Sequence, residues 1–344
     1  MSGGVDSSVA ASLMLHNGYD CIGMTMQLCN GIAEAVSDPA EDAAAVAQRL
    51  GIPFAVLDAN EAFRQHVVTP FIQAYEAGHT PNPCIYCNKH IKFDVLLQAA
   101  LEHGCDYIVT GHYAQIRFNQ ETGRYLLYKA ADPSKDQTYF LACLDQYQLA
   151  HTQLPLGSLT KDQVRRIAEE QGFINAKKRD SQDICFIPDG DFVSFIRRYT
   201  GKTYPCGDFL TLDGKVVGKH TGAFAYTLGQ RKGLGIALGE PAYVCSKDMQ
   251  ANTVTVGPNE ALFHTTLTAT NWNWLPFPVL TEPIRVTAKA RYRHNEQPAT
   301  VYPTDDGNAQ VVFDEPQRAM TPGQAVVLYQ GDMVVGSGTI TEVL

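Results

Sequence analysis

Ser2-Gly3-Gly4-Val5-Asp6-Ser7-Ser8 sets two adjacent glycines between small hydroxyl residues, with a carboxylate in register. Lacking Cβ atoms, the glycines let the main chain close on an anion. Residues 7–16 read as a helix, with Val9/Leu13 and Ala10/Met14 on one face and Gly18 past its end. A glycine loop feeding a helix N-terminus offers backbone N–H groups and the positive end of the dipole to a phosphate. Asp6 adds a hard oxygen ligand of the kind that holds Mg2+ on such a phosphate. A surface turn that merely caps a helix needs fewer of these features. No Gly-Lys-Ser/Thr follows, so this is not a Walker A loop.

Residues 78–89 read Gly-His-Thr-Pro-Asn-Pro-Cys-Ile-Tyr-Cys-Asn-Lys. Pro81 and Pro83 push the residues before them into extended conformations and deliver Cys84 and Cys87 to the start of a helix. A thiol at a helix N-terminus is expected to ionise more easily. Such a pair can ligate a metal, help to hold an iron–sulfur cluster, or cycle as a dithiol. Cys185 stands in Ile184-Cys185-Phe186-Ile187, where Asp183 and Asp189 are expected to raise its thiol. Alone it would read as an inert core cysteine. Beside a Cys-x-x-Cys and a phosphate loop it becomes a third candidate for chemistry. Cys21, Cys105 and Cys143 suit core positions, and Cys29, Cys206 and Cys245 receive no role.

Basic residues gather in Lys177-Lys178-Arg179, in Arg231-Lys232 within a glycine-rich stretch, and in Arg291-Tyr292-Arg293-His294. Cations place phosphates and an aromatic ring can stack a splayed base. Each cluster alone would pass for a solvated surface, but three of them point to RNA.

The elements that must carry these residues fall into two styles. Up to about residue 196, short apolar strands (21–26, 53–57, 107–110) alternate with helices (41–50, 61–77, 88–103 and one from Thr160 to about Gly172). That alternation predicts an α/β domain with a parallel sheet covered by helices on both faces. From about residue 200, Gly, Pro and Thr become frequent and period-2 runs appear at 209–212, 216–217, 243–246 and 253–256. Longer runs at 284–291, 299–302, 309–313, 325–329 and 333–340 predict a closed β-barrel. The expected domains are 1–197, 198–263 and 264–344.

The chain of 344 residues is long enough for two or three cored domains. Its net charge of −9 argues against a non-specific nucleic-acid coat, although local patches still decide specific binding. No apolar run approaches a membrane span and no signal peptide is visible, so the expectation is a cytoplasmic protein with reduced thiols among its nine cysteines.

The opening loop resembles the PP-loop of enzymes that split ATP to AMP and pyrophosphate. Further blocks follow in order: Thr80-Pro81-Asn82-Pro83, Cys87-Asn88, Ile91-Lys92-Phe93, Thr110-Gly111-His112-Tyr113, Lys135-Asp136-Gln137, Ile184-Cys185-Phe186, Gly229-Gln230-Arg231-Lys232-Gly233 and Thr321-Pro322-Gly323-Gln324. Together they resemble the bacterial tRNA-specific 2-thiouridylases of the MnmA type. The resemblance implies a PP-loop, HUP-like ATP domain, activation of the C2 oxygen of the wobble uridine as an adenylate, and attack by sulfur with loss of AMP. Its partners would be tRNA, through the anticodon loop, and a sulfur-donor or sulfur-relay protein.

Position by position, Ser2, Gly3, Gly4, Asp6 and Ser7 match the phosphate loop, and Met26 and Gly111 match adenosine contacts. Asn82, Pro83 and Cys84 match the segment that meets the base. Cys87 matches the nucleophile and Cys185 the persulfide carrier. Lys135, Asp136, Gln137, His112, Arg291, Tyr292 and Gln324 match tRNA-recognition positions.

Two departures stand out. Family members carry a strand ahead of the glycine loop, and here Met1 directly precedes it, so that strand is expected to be missing. Many members also have Asp where this chain has Cys84. Three thiols, Cys84, Cys87 and Cys185, could then hold a 4Fe-4S cluster with one open iron, as an alternative to persulfide chemistry. The competing functions are a PP-loop amide-forming ligase, which has no use for these thiols, and a catalytically impaired tRNA- or nucleotide-binding protein.

Overall fold

The computed structural model describes residues 1–30, 32, 39–176, 184–305 and 307–344. Helix α1 (Val5–His16) starts from an extended Gly4 and buries Val9, Ala10 and Met14 of the expected stripe together with Val5, while Leu13 is half-buried. Helix α2 (Pro39–Leu50) follows. The first half holds strands β1 (Gly23–Gln27), β2 (Phe54–Asp58), β3 (Ile108–Val109), β4 (Gln115–Asn119), β5 (Arg124–Tyr128) and β6 (Thr152–Gln153).

β1 pairs in parallel with β2, Gly23 opposite Phe54, and β3 pairs in parallel with β6. The parallel sheet is therefore two two-stranded pieces rather than the one continuous sheet expected. Met1 lies between them. Its amino group donates to the Met24 carbonyl of β1, and its side chain joins the apolar cluster that contains Val109 of β3.

Two long helices pack beside this sheet. One runs through Asn60–Phe63, Arg64–Val68 and Thr69–Glu76, the other through Pro83–Tyr86, Cys87–Val95 and Leu96–Glu102. The middle segment of each is wound as a π-helix. The second begins ahead of the expected residue 88 because Asn82 caps it: its side-chain oxygen accepts from the Cys84 N–H at 3.2 Å, and Pro83 fills the first turn. The helix Phe192–Thr200 was not foreseen, although Asp191 caps it and Gly201 closes it at φ 66°.

The second half is built of β-sheets. β7 (Gly207–Leu210), β8 (Val216–His220), β9 (Tyr243–Asp248) and β10 (Thr253–Gly257) form a sheet ordered β8-β7-β10-β9 over Phe209, Val244, Val254 and Val256. β11 (Phe263–Trp274), β12 (Ile284–Lys289), β13 (Gln297–Pro303), β14 (Ala309–Arg318), β15 (Ala325–Gln330) and β16 (Met333–Val343) pair in the order β11-β14-β13-β12-β15-β16. β16 returns to β11 and closes the expected barrel.

β11 escaped the sequence reading because its alternation breaks: Asn271 sits at φ 54° and the register slips between Thr270 and Asn273. The hairpin β4–β5 escaped too. It extends the barrel sheet where Tyr128 pairs with Met333. Phe93, Leu97, Tyr139 and Leu141 share one buried cluster with Leu275, Val327, Tyr329 and Val334, so the α/β half and the barrel are joined by core. Each such side chain contributes about 1.5–3 kcal/mol on burial.

Candidate active site

The glycine loop is held by its own hydroxyls. Ser2 N–H donates to Ser7 Oγ at 3.1 Å, and the Ser7 and Ser8 hydroxyls each donate to the Gly4 carbonyl at 3.0 Å. Buried Asn175 donates to the Gly3 carbonyl at 3.2 Å and to Ser8 Oγ at 3.0 Å. Gly3 takes φ 65°, and Gly4 precedes α1 with no side-chain cap, leaving first-turn N–H groups for an anion. Gly111 closes the loop from the far side. A Cβ there would lie 2.6 Å from the Asp6 carbonyl carbon and 2.7 Å from the Ser7 nitrogen. Met26 is partly buried at the edge of the cluster that holds Phe63, Cys87 and Phe186.

Asp6 is engaged by other side chains of the chain. Lys161 Nζ donates to both carboxylate oxygens at 2.7 and 2.8 Å, and the Tyr113 hydroxyl donates to Oδ1 at 2.9 Å. Lys161 is nearly buried, at 8% side-chain exposure, so Asp6 is already neutralised by an enclosed cation. That arrangement does not fit Mg2+ at this carboxylate.

The cysteine segment is set by helix winding. Cys87 opens the π-wound stretch Cys87–Val95, in which bonds run from residue i to i+5. Lys92 therefore stands one turn from Cys87. Its ammonium acts on Cys84, Cys87 and Cys185, favouring the thiolate of each, and on His112.

Loss of hydration nevertheless wins. Burial pushes the Cys87 thiol up to about 12 and raises that of Cys84, the reverse of the lowering expected from the helix N-terminus. Cys84 and Cys185 remain accessible, whereas Cys87 is buried.

Cys185 brings in a residue the sequence reading left without a role. Its titration is coupled to that of Cys29: the neighbouring thiol raises Cys185, while Cys185 lowers Cys29. Burial adds to the rise of Cys185, and Asp189 does not figure among its causes. Cys29 and Cys87 lie in one apolar cluster with Ile184 and Phe186, the neighbours of Cys185. Four sulfurs thus come from three distant segments. Among the described residues, no group of three or more Cys, His, Asp or Glu side chains has the spacing to hold a metal ion. Cys84, Cys87 and Cys185 as arranged do not fit three irons of one cluster.

A chain of contacts joins the thiols to the glycine loop. Gly111 touches Asp6 and Ser7, and His112 beside it bonds Thr110 Oγ1 at 2.8 Å and packs on Phe93 at 5.5 Å between ring centres. Burial, reinforced by Lys92, holds His112 neutral well below its ordinary range. Gln137 accepts from the Tyr113 N–H at 2.8 Å, and Tyr113 in turn reaches Asp6. Asp136 accepts from the Ala130 N–H and from Thr138. The Asp136 side chain is thus committed to the loop that carries it, and that of Gln137 to Tyr113.

Gln324 Nε2 donates to the Thr80 carbonyl at 2.6 Å, and Thr80 N–H donates to the Pro322 carbonyl at 3.0 Å. The barrel therefore grips the strap that leads to Asn82, Pro83 and Cys84. Arg291 turns inward to the Leu228 carbonyl and to Thr321, and burial lowers its pKa. Tyr292 lies on Phe140 at 4.4 Å and stays partly exposed beside exposed Arg293. Arg231 and Lys232 are exposed too, while Lys177-Lys178-Arg179 lies outside the described residues.

Cys29, Lys92, Tyr113, Lys161 and Asn175 are what residue-by-residue reading missed. Lys92 and Tyr113 lay inside recognised blocks. Lys161, Asn175 and Cys29 carried no local signal, because each acts only through a partner far away in the chain.

A phosphate-type glycine loop on an α/β domain, extended by two β modules, defines an ATP-using enzyme of the PP-loop class. Three family descriptions cover the chain in order: tRNA methyl transferase HUP domain over residues 1–189, tRNA methyl transferase PRC-barrel domain over 193–258, and aminomethyltransferase beta-barrel domain over 264–340. The tRNA-specific 2-thiouridylase MnmA of Clostridioides difficile strain 630 is 48% identical over 351 residues, covering 100% of this chain and 97% of that protein. The tRNA-specific 2-thiouridylase MnmA of Acetivibrio thermocellus is 48% identical over 349 residues, covering 99% and 97%. The chain belongs to the MnmA family of tRNA-specific 2-thiouridylases, and it is a tRNA sulfurtransferase. Among solved structures, the U34-tRNA thiolase NcsA of Methanococcus maripaludis with its 4Fe-4S cluster is 20% identical over 58% of this chain and 70% of that one, with a TM-score of 0.34, too distant to carry an argument.

Proposed function

We propose that this chain activates the C2 oxygen of the wobble uridine of tRNA with ATP and replaces it with sulfur carried as a persulfide on Cys185. Oxygen on a pyrimidine carbon leaves poorly, and adenylation converts it into AMP, a good leaving group. The glycine loop, with Ser2, Gly3, Gly4 and Ser7 at the start of α1, would hold the triphosphate through main-chain N–H groups. Gly111 would keep that loop at its present spacing. The strap at Asn82 and Pro83 would meet the extruded base, which an anticodon loop releases at modest cost.

Accessible Cys185 suits receipt of sulfur from a donor or relay protein. Its terminal persulfide sulfur would attack C2, and AMP would depart. A second thiol would then attack Cys185 Sγ, leaving sulfur on the base and a disulfide in the protein. Cys87 matches the family position for the nucleophile. The amide-ligase alternative would leave unused the thiols gathered under Lys92, and that gathering is the single observation that supports this reading.

The test is thiolation of unmodified tRNA by the full chain, beside tRNA-dependent ATP–pyrophosphate exchange. Cys185→Ser is expected to abolish thiolation while exchange persists. Thiolation by Cys185→Ser at the parental rate would refute the persulfide route. Iron and sulfide assayed on anaerobically purified protein would come out well below stoichiometric in a fully active preparation.

A further inference from the structure

The exposed pair Arg231-Lys232 has no part in the scheme above, yet the turn that carries it is held at several points. Gly229 N–H donates to the Val244 carbonyl at 2.8 Å, and Val244 N–H donates to the Gln230 carbonyl at 3.0 Å, which ties the turn to β9. Lys247 Nζ, also on β9, donates to the Tyr226 carbonyl at 2.8 Å. Arg291 of the barrel reaches the Leu228 carbonyl at 3.2 Å. Gly229 takes φ 82°, and a Cβ there would lie 2.9 Å from the Ala319 Cβ. Within the turn, Gln230 Oε1 accepts from the Thr227 N–H at 3.0 Å, and Gln230 Nε2 donates to the Lys232 carbonyl at 3.1 Å. One side chain thus braces both sides of the tip.

A solvated surface cation needs no such bracing. Two cations on an ordered main chain lose less freedom when they meet a charged partner. The chain carries a net charge of −9, so a polyanion must be received where cations are concentrated. Arg291, which holds the turn, is followed by partly exposed Tyr292 and exposed Arg293, so the turn adjoins a second cationic segment. We propose that Arg231 and Lys232 form a phosphate clamp on the tRNA backbone, away from the base being modified, and that Gln230 keeps the clamp formed. This rests on tRNA being the substrate and not on the route the sulfur takes. The deep, narrow major groove of A-form RNA shuts side chains out, so a two-residue tip meets phosphates rather than base edges. Glu240 lines the same hollow as Arg231, and its charge opposes an incoming phosphate.

Filter binding of the full chain to an unmodified tRNA transcript, from about 50 to 200 mM KCl, tests this. Arg231→Ala/Lys232→Ala is expected to bind at least roughly tenfold more weakly at the low-salt end. It should also flatten the dependence of log Kd on log salt by about 1.4–1.8, the counterion release of two phosphate contacts. Arg231→Gln/Lys232→Gln, which keeps much of each stem, should give the same fall. A parental slope in either variant would overturn the clamp. The same loss is expected with a transcript carrying C at the wobble position, because phosphates carry no sequence. A loss confined to the uridine transcript would mean base readout instead. Lys215→Ala/Lys219→Ala removes two exposed cations elsewhere on the same module and should leave the slope at its parental value. An equal fall there would assign the effect to overall charge rather than to this turn.

Gln230→Ala keeps both cations, so it should weaken binding roughly threefold with the salt slope unchanged, the mark of a turn that must be ordered on contact. Parental affinity in Gln230→Ala would refute the bracing. Glu240→Gln should tighten binding, and weaker binding there would count against a phosphate beside Arg231. Failure of the parent chain to bind either transcript would instead refute the tRNA reading on which the clamp rests.

Discussion

Cys87 shows how far burial can override local charge. The helix start and Lys92 both favour its thiolate, yet removing the sulfur from water outweighs them. A proton held that firmly has a consequence for stability. Its folded pKa of about 12 exceeds the reference of 9.0, so the folded chain binds the proton more tightly than the unfolded chain. The resulting stabilisation is complete below pH 9 and is lost as pH rises from there toward 12. The kinetic counterpart is direct to measure. Iodoacetamide labelling of Cys87, followed by mass spectrometry, should rise by about tenfold per pH unit from pH 8 to 11 in the native protein. In urea the rate should level off above about pH 9. A plateau near pH 8 in the native protein would mean that Cys87 is already ionised there.

At the scale of elements, the glycine loop is positioned by a neighbour rather than by its own sequence. Gly111 lies against Asp6 and Ser7 with no room for a methyl group. Gly111→Ala is expected to destabilise the fold by about 1–3 kcal/mol through overpacking. It should also weaken ATP binding at least roughly tenfold, the equivalent of about 1.4 kcal/mol, by isothermal titration. Normal ATP affinity in a folded Gly111→Ala protein would show that the loop can retreat without cost. The cysteine helix depends on Asn82 in a parallel way. Removing that cap by Asn82→Ala should lower stability by about 1 kcal/mol in urea denaturation. It should also slow thiolation, because the same turn presents Cys84.

Across the whole molecule, the barrel acts on the site from a distance. Its Thr321-Pro322-Gly323-Gln324 turn clasps His79 and Thr80, and Gly323 sits at φ 90° with His79 only 2.9 Å from where a Cβ would lie. The strap to the cysteines is therefore set by a module more than two hundred residues away in sequence. Gln324→Ala should cost about 1 kcal/mol in stability. Its distinctive effect should be a fall in kcat for thiolation with little change in KM for ATP, since the glycine loop is untouched. Equal losses in both would mean that the barrel supports the fold generally and not this strap.

The α/β-then-β order, the glycine loop at a helix start and the two prolines ahead of Cys84 were legible along the chain, because each is a local pattern of period, turn chemistry or spacing. The same holds for most barrel strands, whose alternation survives except in β11, where Asn271 breaks it. Which partner each reactive group meets was decided only in three dimensions. Asp6 and Lys161 lie 155 positions apart, and Cys29 and Cys185 come from opposite ends of the α/β domain. Whether a carboxylate is open to a cation, or a thiol is buried and so protonated, depends on distance and hydration. Chain folding sets both, and residue order alone does not contain them.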